Sequence, residues 1–127
     1  MKVQLEKFDH IVLCVADVDE TRAFYERVLG MESREERPGK YSLHFGDAKI
    51  SLQDAATAPD IAKDTVPGSG NFCLVTSDPI DRLLDHLIAE GVEIRDGPGQ
   101  RSGAVGDLLS VYFNDPDGNL VEVSNRL

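Results

Sequence analysis

The sequence predicts an α+β fold: two βαβββ modules paired about a pseudo-twofold axis, forming a curved mixed sheet around a cleft. Three observations predict it. Asp17 follows His10 by seven positions and precedes Gly30 by thirteen, and Asn71, Asp78 and Gly91 repeat that spacing without a gap. Asp17 and Asp78 are helix N-caps by residue type, and Gly30 and Gly91 stand where a helix C-terminus takes a left-handed residue. Each half then closes on two short strands around a turn, "YSLHFGDAKISLQ" in one and "LLSVYFNDPDGNLVEVSN" in the other. A repeat of this kind marks a duplicated unit. Module one is assigned 8–54, the linker 55–70 and module two 71–125 of one domain, 1–127.

The elements follow in order. "FDHIVLCVAD" alternates as a strand, with His10, Val12, Cys14 and Ala16 on one face and Ile11, Leu13 and Val15 on the other, so both faces read as buried. Asp17 with Glu20, and Asp78 with Asp81 and Pro79, open two amphipathic helices. In the second helix Ile80, Leu83, Leu84, Leu87 and Ile88 form the apolar stripe, and Asp81, Arg82, Asp85 and Glu90 face water. The stretch 54–70 is rich in Ala, Asp, Pro and Gly without a sustained period and reads as linker. Aligning Phe45 with Phe113, with one extra turn residue in the second half, sets Gln53 opposite Glu122. His10 meets Asn71 at the strand openings, so four polar side chains are expected to converge on one cleft.

The bulk numbers narrow the ligand. A chain of 127 residues with 41% apolar and 28% charged residues is globular and long enough for a core. Its net charge of −10 repels phosphates, which excludes nucleic acid as a partner. No apolar run is long enough to span a membrane, and "MKVQLEKFDH" has no secretory h-region. Cys14 and Cys73 sit in strand-like runs and read as reduced core thiols of a cytoplasmic protein. A small molecule or a metal ion is the natural ligand.

"DHIVLCVADVDETRAFYERVLGM" and "YFNDPDGNLVEVSN" resemble the vicinal oxygen chelate superfamily of glyoxalase I, fosfomycin-resistance enzymes, bleomycin-resistance proteins and extradiol dioxygenases. The likeness runs over residues 8–125. "PGSGNFCLVTSDPID" and "GPGQRSGAVG" look like the short proteins grouped as glyoxalase domain-containing protein 5. The resemblance implies a divalent metal held at four positions, which here are His10, Gln53, Asn71 and Glu122. Asn71 departs from the His or carboxylate expected there, and a neutral amide oxygen is a weak ligand. Zn²⁺, Ni²⁺, Co²⁺ or Mn²⁺ suits this donor set better than Ca²⁺.

Several of these residues also admit plainer readings. Alone, His10 is a satisfied core histidine; with Glu122 placed inside on its strand, the two form either a metal site or an ion pair ringed by Asn71 and Gln53. "NDPDGNLVEV" fails as a calcium loop, because Leu120 and Arg126 stand where Gly and Glu are required, and is a hairpin turn. "GPGQRSGAVGD" lacks a P-loop ending; it is a flexible hairpin loop, or a mobile lid whose Arg101 binds an anionic substrate. His86 reads as solvated, His44 as an exposed edge residue or an auxiliary ligand or base, and Phe24 and Tyr25 as packing.

The resulting expectation is a metal-dependent, glyoxalase-like lyase or isomerase acting on a small vicinal-oxygen substrate, with Glu122 as ligand and proton-transfer group. The competing class is a non-catalytic drug-sequestering protein. A dioxygenase needs a second His where Asn71 stands, and thiol transfer to fosfomycin needs a basic cluster that is not visible. Open sheet edges, and the habit of superfamily members of this length, imply a homodimer, in some members with sites built from both chains.

Overall fold

The computed structural model describes residues 1–59 and 61–127; Asp60, in the predicted linker, lies outside the described residues. The element order is β1 (His10–Val15), α1 (Val18–Leu29), β2 (Glu32–Arg37), β3 (Lys40–Phe45) and β4 (Ala48–Asp54). The second half repeats it with β5 (Asn71–Val75), α2 (Ile80–Ala89), β6 (Asp96–Gly103), β7 (Gly106–Asn114) and β8 (Leu120–Arg126). Each half makes its own four-stranded mixed sheet, ordered β1-β4-β3-β2 (sheet A) and β5-β8-β7-β6 (sheet B). In each, the first and last strands of the module pair in parallel and the rest antiparallel.

Local chemistry explains the ends of α1. Asp17 accepts the Glu20 amide at 2.9 Å, and Gly30 closes the helix at φ 64°. The second helix departs from its twin: Pro79 occupies the cap without a side-chain bond. Asp78 is instead drawn into a turn in which Thr76 Oγ1 accepts its amide at 3.1 Å.

One apolar core joins the halves. Leu13, Val15, Leu43, Ile50 and Leu52 of sheet A and Val111, Phe113, Val121 and Val123 of sheet B belong to a single cluster with Tyr25, Val28, Leu83 and Leu87. Ile88, expected in the apolar stripe, is 65% exposed. His86, expected to be solvated, bonds through Nε2 to the Val28 carbonyl at 2.8 Å, and Arg27 reaches Glu90 at 2.8 Å, so each of these side chains bridges the two helices.

The "DPDGN" turn clasps the modules. Tyr25 is fully buried and its hydroxyl donates to Asp115 Oδ2 at 2.7 Å. That carboxylate also accepts Asn119 Nδ2 at 2.8 Å and the amides of Asn119 and Asp117 at 2.9 and 3.1 Å. Asn119 Oδ1 in turn accepts the Gly70 amide at 2.7 Å, and Asp117 Oδ1 accepts the Ala16 amide at 3.3 Å. Gly70 fits only as glycine, because a Cβ would stand 2.8 Å from both Asn119 Oδ1 and Leu13 Cδ2. Burial first, and then the Asp115 charge, push the Tyr25 phenol far above its ordinary range.

Candidate functional site

Alternation along each strand decides where the predicted site residues point. Leu13 and Val15, Ile50 and Leu52, Phe72 and Leu74, and Val121 and Val123 all turn to the shared core. His10, Gln53, Asn71 and Glu122 occupy the opposite parity on β1, β4, β5 and β8, so all four lie on faces directed away from that core. His10 is therefore no core histidine. Its side chain is 43% exposed and its Nδ1 lies 2.8 Å from Asp9 Oδ1. Val12 on the same face is exposed too, while Cys14 is buried; Cys73, expected in the core, is exposed. The convergence expected within one chain does not occur, and the His10–Glu122 ion pair does not form. Two modules that share a core back to back leave their polar faces apart.

The strand registers correct the alignment of the two halves. In the parallel pairs, His10 partners Lys49 and Val12 partners Ser51, just as Asn71 partners Leu120 and Cys73 partners Glu122. The counterpart of Glu122 is therefore Ser51, and Gln53 corresponds to Ser124. The antiparallel pairs agree, with Ser42 opposite Ser51 and Tyr112 opposite Glu122. Gln53 partners Cys14, four residues beyond the rung of His10, or about 13 Å along the ladder at the usual strand rise.

On sheet B, Glu122 sits in a cradle of hydroxyls. Ser110 Oγ, fully buried, donates to Glu122 Oε2 at 2.6 Å and lies 2.6 Å from Ser124 Oγ. Cys73, on the Glu122 rung, has its Sγ 3.3 Å from Ser124 Oγ. Partial burial of its sulfur pushes the Cys73 thiol up and the Glu122 charge adds to this, against the lowering hydrogen bond from Ser124. Burial and Glu122 likewise raise the Tyr112 phenol. The Arg101 guanidinium lies 5.4 Å from the centre of the Tyr112 ring and pairs with Asp96 at 3.1 Å. Arg101 is not on a loop: residues 96–103 form β6, fully paired with β7 around it. Gly99 belongs there because a Cβ would come within 2.5 Å of the guanidinium.

Sheet A carries a polar row of which the sequence singled out only His10 and His44. His10, Lys49, His44 and Glu32 follow one another across β1, β4, β3 and β2 on a single rung of the outward face. Lys49 Nζ contacts both Glu36 carboxylate oxygens at 2.9 Å, and His44 Nε2 lies 3.1 Å from Glu36 Oε1. The Lys49 hydrogen bond first, then Ser42 and His44, hold the Glu36 carboxyl down at about 2. His44, expected at an exposed edge, is on an interior strand with its side chain 21% exposed.

A divalent ion needs several strong donors on one point. Among the described residues no three His, Cys, Asp or Glu side chains meet that requirement. The register leaves one imidazole and a hydroxyl (His10, Ser51) on sheet A and one amide and a carboxylate (Asn71, Glu122) on sheet B. The Lys49 ammonium, beside His10, adds a like charge. This donor set does not fit a resident metal.

Comparison with known proteins places these features. The model of the glyoxalase/bleomycin resistance protein/dioxygenase superfamily matches residues 7–123. Virulence protein STM3117 of Salmonella typhimurium is 39% identical over 122 residues, covering 94% of this chain and 84% of that protein. Its crystal structure superposes with a TM-score of 0.94 over 98% of this chain and all of that one. The glyoxalase domain-containing protein RDO1 of Mycosarcoma maydis is 38% identical over 125 residues, 98% of this chain and 70% of its own length. Lactoylglutathione lyase GLX1 of Arabidopsis thaliana is 30% identical over 132 residues, spanning 94% of this chain and 44% of the plant protein.

Proposed function

The chain belongs to the glyoxalase/bleomycin resistance protein/dioxygenase superfamily, and we propose that within it the chain is a glyoxalase-like lyase or isomerase of a small vicinal-oxygen compound. The observation that carries this reading is Glu122: a half-buried carboxylate on an outward sheet face, oriented by Ser110 at 2.6 Å, with Tyr112 on its rung and Arg101 5.4 Å from the centre of the Tyr112 ring. An oriented carboxylate with a cation one side chain away suits proton abstraction alpha to a carbonyl. Glu122 takes the proton, Ser110 and Ser124 fix its Oε2, and Arg101 binds the substrate's negative end. The similarity to a lactoylglutathione lyase supports the reaction class. Within the superfamily the glyoxalase domain-containing protein 5 group is our placement, on the sequence stretches that resemble it.

The reading includes a second copy of the chain. The polar faces of sheets A and B point away from the shared core, so a homodimer that apposes sheet A of one copy to sheet B of the other encloses a cleft; Val12 and Val75, 43% and 48% exposed, gain cover. Sedimentation equilibrium at micromolar concentration is expected to return a dimer, and a monomer counts against the shared cleft. The catalytic test is Glu122→Gln against a screen of α-keto aldehyde–thiol adducts and related vicinal-oxygen compounds. Loss of a general base lowers turnover about 10²–10⁴-fold; turnover that survives undiminished removes Glu122 from the mechanism. A second reading, a non-catalytic small-molecule binder, is favoured by Asn71 and Ser51 at the two remaining rungs. It predicts no turnover under any condition and only a modest change in ligand affinity for Glu122→Gln.

A further inference from the structure

The row His10–Lys49–His44 has a chemistry that the proposed reaction does not use. A metal in such a site would serve as a fixed positive charge for substrate oxygens. Here Lys49 occupies the rung of His10, with its side chain 24% exposed and its carbon stem on a sheet face. The ammonium has three donors. Glu36 takes Lys49 Nζ at 2.9 Å on each of its two oxygens, which holds it in place while leaving donor capacity toward the face. The other groups facing it are accounted for: His44 bonds to Glu36 Oε1, Arg34 pairs with Glu32 at 3.0 Å, and His10 leans on Asp9. Ser42 and Ser51 supply hydroxyls one rung further along.

We propose that sheet A's outward face holds a substrate carboxylate, with Lys49 beside His10 as its fixed cation and without a resident metal. The substrate class is then narrowed to anionic vicinal-oxygen compounds, such as 2-oxo or 2-hydroxy acids. The inference rests on the reading of the outward faces as the substrate cleft. Charge complementarity is what selects the ligand: in a chain of net charge −10, an anion is held only where a local cation is fixed.

Isothermal titration with oxalate, on full-length protein treated with EDTA, tests it. Binding is expected to persist under chelation and to exceed that of neutral biacetyl by at least about tenfold, the usual worth of a charged hydrogen bond. Lys49→Gln lowers oxalate affinity about tenfold or more, Lys49→Arg restores most of it, and Glu36→Gln, which frees the ammonium, tightens it. A merely structural ion pair would make both single losses act in the same direction. The double variant Ser51→Glu, Asn71→His is expected to gain Ni²⁺ binding that the wild type lacks. Oxalate binding that requires added Zn²⁺ or Ni²⁺, or that is unchanged in Lys49→Gln, overturns the proposal. Oxalate binding without turnover of any compound defeats the enzymatic reading alone; metal-dependent turnover without oxalate binding defeats this one alone.

Discussion

The outward faces of the two sheets are counterparts by register and opposites in chemistry. Sheet B sets the carboxylate of Glu122 directly among neutral groups, Ser110, Ser124, Cys73 and Tyr112, with the Arg101–Asp96 ion pair beyond Tyr112. Sheet A sets a hydroxyl, Ser51, at the same position and surrounds it with the charges of Lys49, Arg34 and Glu36 and the imidazoles of His10 and His44. Duplication kept the frame while the charges diverged. A cleft assembled from one face of each kind has the Glu122 proton acceptor, with the Asp96-paired Arg101 beyond Tyr112, on one wall and the Lys49 cation on the other. That division of labour suits a substrate with an acidic C–H next to an anionic head.

The comparison presumes that both faces are held on one rigid frame, and the largest expected effect comes from breaking it. Asp115→Ala leaves the Tyr25 hydroxyl, the Asn119 amide group and two backbone amides without their acceptor in a buried site. Unfolding by urea at fixed protein concentration is expected to show a loss of about 3–4 kcal/mol, since each stranded donor costs about 1–3 kcal/mol and some find water. Tyr25→Phe keeps the packing and removes one donor, and about 1–2 kcal/mol is expected from the same measurement. Equal stability of Tyr25→Phe and wild type would show that the modules are held by the apolar core alone.

The charged wall has its own signature in acid. Glu36 falls from an ordinary 4.5 to about 2 in the folded chain, chiefly through Lys49. A carboxyl depressed on folding adds stability that is fully present above the unfolded value and disappears as pH falls through the folded one. The melting temperature of wild type should therefore exceed that of Lys49→Gln above pH 4.5, and the gap should close toward pH 2. The direction is the test, since Glu36 is too well solvated for the pair to contribute much. A gap that persists at pH 2 would assign the effect to packing of the Lys49 stem.

How much of this was legible in the sequence follows from what alternation can and cannot encode. The spacing of His10, Asp17 and Gly30 marked two modules, although Asp78 does not cap the second helix as Asp17 caps the first. Parity correctly placed His10, Gln53, Asn71 and Glu122 on one side of their strands. It could not detect that Gln53 was two residues out of frame, since a shift of two preserves parity and only the ladder, with Ser51 beside Val12, reveals it. Nor could it say which side faces the core, which is decided by the docking of one module on the other. Glycines at 97, 99 and 103 imitated a loop where β6 runs, because Gly97 and Gly103 make room for the Ser110 and Gly106 carbonyls inside a strand. The Tyr25–Asp115 bond spans ninety residues and leaves no local trace.

The smallest expected effect sharpens the neutral wall. Ser110 Oγ is the nearer of the two hydroxyls that touch Glu122, at 2.6 Å against 3.4 Å for Ser124. Ser110→Ala removes that donor from a fully buried position, but the side chain is small and Glu122 is half-exposed, so solvent can take over the freed oxygen. Ser124, 2.6 Å from Ser110 Oγ in the native chain, is the hydroxyl left to turn toward the carboxylate. The stability loss should be about 0.5–1 kcal/mol, the net worth of one replaceable hydrogen bond. If Glu122 is the proton acceptor, its orientation matters more than its stability: the same variant should lower kcat several-fold with KM nearly unchanged, because a misaimed base weakens the transition state and leaves substrate binding alone. An increase in KM at constant kcat would mean that Ser110 contacts the substrate directly, and the hydroxyl cradle would then be part of the binding wall.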